Sequence, residues 1–209
     1  MSVDELAEKL AKRMHQDQRG YRPDAKKEDV DKIKINQLFA SRSKTKIGNA
    51  VILDSSNFLT TEALVQVGYK REEIFIPQYD KQEYDLQKQS HLRVCHQTLN
   101  AYLADSEDVK FSTAWFDYTC TYSGNASCRP REDINLYFSR QFADDESTFA
   151  VTFSKREKTD EEAELIESVK RDIYSIAKHH NYALTEEVLY EYGNMYFFMW
   201  EVAERKRKR

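Results

Sequence analysis

The residues best suited to chemistry stand at the end of the most apolar run of the sequence. Asp117 directly follows Trp115 and Phe116 in the run 111–119, and Tyr118 comes next. A carboxylate is expensive to bury unless it is hydrogen-bonded or functional. Asp117 could therefore hold a polar group of a substrate, with Tyr118 stacking or packing beside it. The alternative is that Asp117 only caps its own loop.

The segment after this run is rich in Gly, Asn and Ser and is predicted to be a loop. It also carries tyrosines, which stack on bases, and arginines, which bind phosphate. Both types would suit a nucleic-acid substrate, and both would equally suit a surface loop. The candidate substrate-binding residues are Tyr122, Asn125, Arg129 and Arg131.

Composition narrows the classes of function. The 209 residues include 32 Lys and Arg against 36 Asp and Glu, which gives a net charge of -4. This balance gives no overall attraction to polyanions, so nucleic-acid binding would need a local basic patch. No apolar stretch approaches the roughly 20 residues of a membrane span, and the first residues lack a secretory-signal pattern. We therefore expect a soluble intracellular protein, cytoplasmic or nuclear.

The cysteines point the same way. Cys95, Cys120 and Cys128 are an odd number, and none forms a C-x-x-C pair typical of metal sites. The pattern predicts reduced thiols, with neither a disulfide framework nor a metal site.

The elements that position these residues begin near Gly48. Residues 1–46 are predicted as an N-terminal extension with helical patterns, in which 41–46 could be a basic lip that touches phosphate or a solvated linker. Residues 47–204 alternate short β-rich runs with helix-length segments, which is typical of a parallel sheet covered on both faces. The basic tail 205–209 could be a nuclear signal, a phosphate-binding strip or only a solubilising terminus.

Five apolar runs in this region are predicted as strands, and helix-like segments separate them. They are residues 49–54, 72–77, 92–96, 111–119 and 147–154. Gly68 should cap the first of these helices at its C-terminal end, and Pro130 should stand in the first turn of another.

The last part of the sequence departs from this alternation. The runs 182–192 and 195–205 are strand-like and are separated only by Gly193 and Asn194. So short a polar turn predicts an antiparallel hairpin. Its aromatic residues are most simply core and sheet edge, although an exposed set would serve as a homodimer or partner surface. They are Tyr190, Tyr192, Tyr196, Phe197, Phe198 and Trp200.

Five βα units closed by a hairpin resemble the class I, Rossmann-like methyltransferases that use S-adenosylmethionine, over roughly residues 47–204. The resemblance implies an α/β fold: a three-layer αβα sandwich with a mostly parallel seven-stranded sheet and an antiparallel C-terminal hairpin. It also implies S-adenosylmethionine as the cofactor and requires no metal.

The resemblance assigns cofactor-binding roles to several strand ends. In the family, the first strand ends in an acid followed by a glycine-rich loop that approaches the cofactor closely. Here Asp54 takes the acidic position, and Ser55, Ser56 and Asn57 stand where glycines are expected. This substitution leaves two interpretations, a loop that binds through small polar side chains or a fold that has lost its cofactor.

The other strand ends supply weaker candidates. Gln78, with Asp80 nearby, follows the second strand, where the family binds the ribose hydroxyls, and His96 and Gln97 follow the third, near the adenine position. The segment from Asp117 to Cys120 looks like a variant of the D-P-P-Y/F box of amino-methylating enzymes, without its prolines.

Three functions follow from these observations. The first is a methyltransferase that acts on a nitrogen, most simply of a nucleic acid. The second is a catalytically inactive, methyltransferase-like binding or structural subunit, which the changed glycine loop favours. The third is another Rossmann enzyme such as a dehydrogenase, against which the missing G-x-G-x-x-G motif and the terminal hairpin both argue.

Overall fold

The computed structural model describes residues 30–124, 128–155 and 162–205. Its strands are β1 (Ala50–Ile52), β2 (Ile74–Pro77), β3 (Arg93–Cys95), β4 (Phe111–Asp117), β5 (Ala143–Ser154), β6 (Tyr182–Tyr192) and β7 (Met195–Glu204). Its helices are α1 (Val30–Ser43), α2 (Leu59–Gln66), α3 (Lys81–Gln87), α4 (Leu99–Asp105), α5 (Pro130–Ser139) and α6 (Glu162–His179), with a short 3₁₀ turn at Arg71–Glu73.

The seven strands form one sheet in the order β3-β2-β1-β4-β5-β7-β6. The strands β1 to β5 pair in parallel, whereas β7 pairs antiparallel with both β5 and β6. This confirms the predicted mixed sheet with its antiparallel C-terminal hairpin. The chain order reverses between β1 and β4, which is the place where open α/β sheets form a crevice beyond the carboxyl ends of their strands.

Two apolar layers flank the sheet and explain why its central strands are apolar throughout. Ala114 and Phe116 of β4 pack on one face with α4, α5 and α6, while Trp115 packs on the other with α1 and α2. Successive side chains of a strand point to opposite faces, so a strand buried on both faces needs apolar residues at every position. The three layers are therefore helix, sheet and helix.

The element ends differ in part from the predicted runs. The strand β1 is shorter than the run 49–54, and β2 starts two residues later than expected because Arg71–Glu73 forms the 3₁₀ turn. The strand β5 begins at Ala143 rather than at residue 147, and it takes over the end of the predicted helix that follows Pro130. Pro130 does occupy the first helical position of α5.

The end of α2 follows the prediction in detail. Gly68 has a φ of +114°, its N–H donates to the carbonyl of Val65, and the N–H of Tyr69 donates to the carbonyl of Leu64. These two bonds form the Schellman arrangement, in which a glycine reverses the chain at no steric cost.

The helix α1 is part of the folded core. Ile35 and Phe39 are buried in the apolar layer that contains Trp115, whereas Val30 and Ile33 are exposed. The boundary at residue 46 stays a prediction, but part of the segment before it packs against the sheet. The N-terminal residues 1–29 and the tail 206–209 lie outside the described residues.

The basic segment 41–46 lies at the amino ends of the strands, away from the crevice. Its Arg42 pairs with Glu186 and Glu201, and Lys46 pairs with Asp144. Two of its basic residues therefore have acidic partners within the protein, and the phosphate-touching lip stays a prediction.

The aromatic residues of the hairpin belong mainly to the core. Tyr192, Tyr196, Phe197, Phe198 and Trp200 are buried. Tyr190 is half-buried and donates to Asp31 of α1. These aromatic residues therefore fit the simpler interpretation, in which they belong to the core and the sheet edge.

No helix within the described ranges is long and apolar enough to cross a membrane. The prediction of reduced thiols is wrong for two of the three cysteines, because Cys120 and Cys128 form a disulfide. Their spacing of eight residues suits a loop closed on itself, which an odd cysteine count in the sequence did not reveal. Cys95 is the free cysteine.

Candidate active site at the carboxyl edge of the sheet

Asp117 ends β4 and lies at the carboxyl edge, on the face covered by α1. There its Oδ2 accepts a hydrogen bond from Nζ of Lys32 at 2.5 Å. The side chains of Lys32 and Asp117 are only 5% and 14% exposed, so the pair is largely shielded from water. A lysine is almost never buried unless it is paired, and Asp117 supplies such a partner for Lys32.

Aromatic rings complete the surroundings of Lys32. Its Nζ lies 4.3 Å from the ring centroid of Trp115 and 5.8 Å from that of Tyr192. Both distances allow the π-face of an aromatic ring to attract the ammonium. The indole N–H of Trp115 donates to the hydroxyl of Thr152 in β5, and this bond fixes the ring beneath the ammonium.

Asp54 lies level with Asp117 across the sheet. Ile52 of β1 is in register with Trp115 of β4, so Asp54 and Asp117 each follow that pair by two residues. Asp54 Oδ2 accepts from both the N–H and the hydroxyl of Thr61, at 2.8 Å each, in the first turn of α2. The carboxylate thus caps this helix and meets its positive end.

The pKa of the Asp54 carboxyl is raised above its ordinary value. Burial is the largest cause, and it is opposed by the two hydrogen bonds from Thr61 and by the positive charge of Lys32. Lys32 is therefore close enough to act electrostatically on Asp54 as well as to bind Asp117. Lys32 thus binds Asp117 and favours the charged form of Asp54, and it comes from a helix that sequence analysis placed outside the domain.

The loop after β1 uses its own backbone donors. The N–H of Ser55 donates to Asp54 Oδ1, that of Ser56 to Glu83, that of Asn57 to the hydroxyl of Ser55, and that of Phe58 to the carbonyl of Ser55. A glycine-rich loop would offer such N–H groups to a ligand. Here they hold the loop itself, and the hydroxyls of Ser55 and Ser56 donate no hydrogen bond within the described residues.

The helix α3 supplies part of this support. The side-chain amide of Gln87, which is buried, donates to the carbonyl of Asp54 at 2.7 Å, and that of Gln78 donates to the same carbonyl at 3.3 Å. Asp80 caps α3 by accepting from two of its first N–H groups. Gln78 lies beside Asp54, and Asp80 has a structural partner of its own.

The end of β3 contributes His96 and Gln97 at the outer side of the same edge. The imidazole of His96 pairs with the carbonyl of Tyr79 and stacks on the ring of Tyr84, while Gln97 donates to Asp105 of α4. Both side chains are at the edge that the resemblance assigns to adenine, and both have protein partners there.

Tyr118 points away from the crevice. It is buried on the opposite face of the sheet, where its hydroxyl donates to Asp133 Oδ2 at 2.7 Å and Asn100 donates to the other oxygen of Asp133. Burial and the neighbouring Asp133 charge raise the pKa of Tyr118 well above its ordinary value. Of the two roles open to Tyr118, this geometry shows packing.

The loop after β4 is fastened at several points. The disulfide joins Cys120 to Cys128, and Gly124 has a φ of +75°, where an added Cβ would meet the carbonyl oxygen of Cys128 at 2.2 Å. Only glycine therefore fits at residue 124 in this conformation. Asn125 lies outside the described residues.

Two of the predicted substrate-binding residues converge on α6. Arg131 forms two hydrogen bonds to Asp172, at 2.7 and 3.2 Å, and the hydroxyl of Tyr122 donates to the same carboxylate at 2.7 Å. Arg129 pairs with Glu132 in the first turn of α5. Both arginines form ion pairs with acidic residues of the protein, and these pairs fasten the loop.

Sequence reasoning missed Lys32, Glu83 and Gln87, which contact the predicted acids or their loop. Each stands in a polar helical segment, where charged and amide residues are usually solvated. The signal in the sequence was Lys32 on the same helical face as Ile35 and Phe39, three and seven residues away, since residues at that spacing share a face. A charged residue on the apolar face of a helix requires a partner.

The comparisons with known proteins agree with this fold. No protein-family model and no curated protein matches the sequence. Among solved structures, the chain is similar to the N-methyltransferase NodS from Bradyrhizobium japonicum in complex with S-adenosyl-L-homocysteine, with a TM-score of 0.57, 12% identity, and coverage of 83% of this chain and 88% of that one.

Two further structures extend the likeness. A ribosomal protein L11 methylase from Lactobacillus delbrueckii subsp. bulgaricus matches with a TM-score of 0.54 and 10% identity, over 85% of this chain and 79% of that one. The fibrillarin pre-rRNA processing protein of Methanococcus jannaschii matches with a TM-score of 0.53 and 13% identity, over 76% of this chain and 67% of that one. The fold is thus that of the class I methyltransferases.

Proposed function

We propose that the protein is a methyltransferase that uses S-adenosylmethionine and acts on a nitrogen of a nucleic acid. One observation carries this proposal. In a class I methyltransferase fold, Asp54, which follows β1, and Asp117, which ends β4, lie level at the carboxyl edge, and the largely buried ammonium of Lys32 binds Asp117 and acts on the charge of Asp54. A cluster of this kind at the switch point of an open α/β sheet marks a candidate reaction centre.

The residues after β1 fit the cofactor in a particular way. Since the N–H groups of residues 55–58 have protein acceptors, the backbone of this loop does not offer them to a ligand. The hydroxyls of Ser55 and Ser56 can donate hydrogen bonds to a ligand. We assign them to the carboxylate of the cofactor, with Asn57 beside them. Gln78, His96 and Gln97 would border the ribose and the adenine. When bound, the cofactor supplies a methyl group on a positively charged sulfur.

The acceptor side of the site consists of Asp117. A carboxylate at this position accepts a hydrogen bond from an N–H group and so turns the nitrogen lone pair toward the methyl carbon. Correct orientation is the main contribution that a protein makes to such a substitution. Tyr118 packs on the far face of the sheet, where its hydroxyl donates to Asp133.

A nucleic-acid acceptor follows from two supports. The loop after β4 begins at this edge and carries Tyr122, Arg129 and Arg131, whose partners in the structure are acids of the protein, and one structural relative is described as a pre-rRNA processing protein. Another relative is a methylase of a ribosomal protein, so a protein acceptor is the natural comparison in the assay. An intracellular location and a homodimer or partner surface on the hairpin remain predictions from the sequence.

The first test is calorimetric binding of S-adenosylmethionine and S-adenosylhomocysteine to the wild type, to Asp54→Asn and to Asp85→Asn. Asp85 is an exposed acid on α3 that pairs with Lys81 and Lys88, which makes it a matched control. We expect micromolar binding that Asp54→Asn weakens at least tenfold and Asp85→Asn leaves unchanged.

The second test follows a labelled methyl group into rRNA transcribed in vitro and, separately, into ribosomal protein. We expect label in the RNA and its loss in Asp117→Asn, with cofactor affinity retained. Label found only in protein would contradict the nucleic-acid part of the proposal.

A second candidate function has its own support. The backbone N–H groups of the loop after β1 already have acceptors within the protein. This favours an inactive, methyltransferase-like subunit that keeps the fold for binding or structure. If the folded wild type does not bind the cofactor at millimolar concentration, this alternative is favoured over the first.

A further inference from the structure

We propose that Glu83 is a specificity-determining residue of the loop after β1: its carboxylate binds this loop where the carboxylate of the cofactor would lie, and the two compete. The inference rests on the proposed function, which assigns the cofactor carboxylate to the hydroxyls of Ser55 and Ser56. It gives α3 a part in ligand selection besides its support of the loop.

The hydrogen bonds of the loop distinguish one of its N–H groups from the others. The N–H groups of the other three residues of 55–58 donate to Asp54 or Ser55. That of Ser56 donates to Oε2 of Glu83 at 2.8 Å, across 27 positions of the sequence. A carboxylate oxygen from another element is therefore already bound in the middle of this loop.

The helix α3 fixes the direction of this carboxylate. Glu83 and Gln87 are one turn apart, so they share a face of α3. The buried side chain of Gln87 donates to the carbonyl of Asp54 at 2.7 Å, and Asp80 accepts from the N–H of Glu83 at the start of the helix. One face of α3 thus contacts the loop at two places, and Glu83 is directed toward Ser56.

The neighbouring lysines do not neutralise Glu83. Lys81 and Lys88, which lie at the two ends of α3, both pair with Asp85. Within the part of the chain that the structure describes, Glu83 forms no ion pair, and Ser56 supplies it with a neutral donor. A second carboxylate bound to the Ser56 hydroxyl would lie within a few ångströms of this charge, where like charges repel.

The competition predicts which ligands the loop prefers. Decarboxylated S-adenosylmethionine keeps the adenosine, the sulfonium and the ammonium of the cofactor and lacks only its carboxylate. The ratio of the affinities for the two compounds therefore reports what the carboxylate gains or loses in the loop. Removing the charge of Glu83 should raise the preference for S-adenosylmethionine about tenfold, the effect expected of one unit charge in a partly screened site.

The variants are Glu83→Gln, Glu83→Ala and the control Asp85→Asn, each measured by calorimetry with both compounds. Glu83→Gln keeps an oxygen that can accept from the Ser56 N–H and removes only the charge, whereas Glu83→Ala removes both. We expect both variants to raise the ratio in favour of S-adenosylmethionine about tenfold. Asp85→Asn removes one negative charge from the same helix and should retain the wild-type ratio.

The outcomes separate this inference from the proposed function. If the wild type binds both compounds and folded Glu83→Gln keeps the wild-type ratio, the inference is wrong and the proposed function stands. The same holds if Glu83→Ala loses both compounds equally, since Glu83 would then only support the loop, or if Asp85→Asn raises the ratio as much, since any charge on α3 would then suffice. A folded wild type that binds neither compound overturns the proposed function and this inference together.

Discussion

The loop after β1 and the loop after β4 leave the sheet side by side, yet they are held by different means. The first loop is held by hydrogen bonds that Thr61 and Gln87 donate to Asp54 and that Ser56 donates to Glu83. A disulfide and a buried ion pair hold the second, at Cys120–Cys128 and at Asp117. Many weak bonds can be exchanged for bonds to a ligand one at a time, whereas a covalent bond and a buried charge pair cannot. The first loop is therefore the adaptable side of the edge, and the second is the fixed side.

The largest expected effect comes from breaking the ion pair. Lys32→Met should lower the free energy of unfolding by about 3–5 kcal/mol, because it removes the ammonium that pairs with the largely buried Asp117 carboxylate. Denaturation in urea measures this, with Lys34→Met as the control that should stay near zero. The double variant Lys32→Met with Asp117→Asn should recover most of the loss, since it removes both charges. A single variant as stable as the wild type would contradict the pairing.

The disulfide is the next largest contribution. Reduction, or Cys128→Ser, should cost about 2–3 kcal/mol, as expected from closing a loop of this length in the unfolded chain. The melting temperature should fall in the presence of a reducing agent in the wild type and in Cys95→Ser, where the disulfide remains. It should not respond to reducing agent in the Cys120→Ser, Cys128→Ser double variant, and a response there would assign the effect to another cause.

In the loop after β1, one carboxylate caps a helix, and its loss should cost less. Asp54→Ala should lower the free energy of unfolding by about 1–2 kcal/mol through the lost bonds to Thr61. Because burial raises the pKa of Asp54, its contribution is fully present below about pH 4, the unfolded value, and is lost as the pH rises through the folded pKa. Asp54→Asn should therefore gain stability relative to the wild type between pH 4 and pH 7, which urea denaturation across this range would show or refute.

The smallest effect is expected at the anchor of the second loop on α6. Burial opposes ionisation of Asp172, but the hydrogen bonds from Arg131 and Tyr122 outweigh it and lower its pKa. Its stabilising contribution is therefore present above about pH 4 and is lost as the pH falls through the folded pKa. Since Arg131 is exposed, the contribution should stay below about 1 kcal/mol. Asp172→Asn should remove this acid-sensitive part and leave the stability at pH 7 little changed.

Most of the fold could be predicted from the sequence because it depends on local patterns. The strand runs, Gly68, Pro130 and the Gly193-Asn194 turn are each recognised from neighbouring residues. The ends of β1 and β5 were less predictable, since they depend on which partner strand extends furthest. The register of β5 with β7, for example, couples residues about fifty positions apart.

Less of the candidate site could be predicted, because its contacts join residues that are far apart in the sequence. Asp54 and Asp117 were recognised because each ends an apolar run. The pairing of Asp117 with Lys32 spans 85 positions, and no local pattern records it. The disulfide was missed for a different reason: a count of three cysteines says nothing about which two approach each other. The roles of Tyr122, Arg129 and Arg131 as anchors depend on acids placed by α5 and α6.

The position of β7 has a consequence for how the chain is made. It lies between β5 and β6, although the ribosome produces it after every other strand of the sheet. Until β7 emerges, one edge of β5 has no partner and β6 has no place in the sheet. An unpaired strand edge is a template for association with other chains, so nascent or truncated forms that lack β7 should be the species most prone to aggregate.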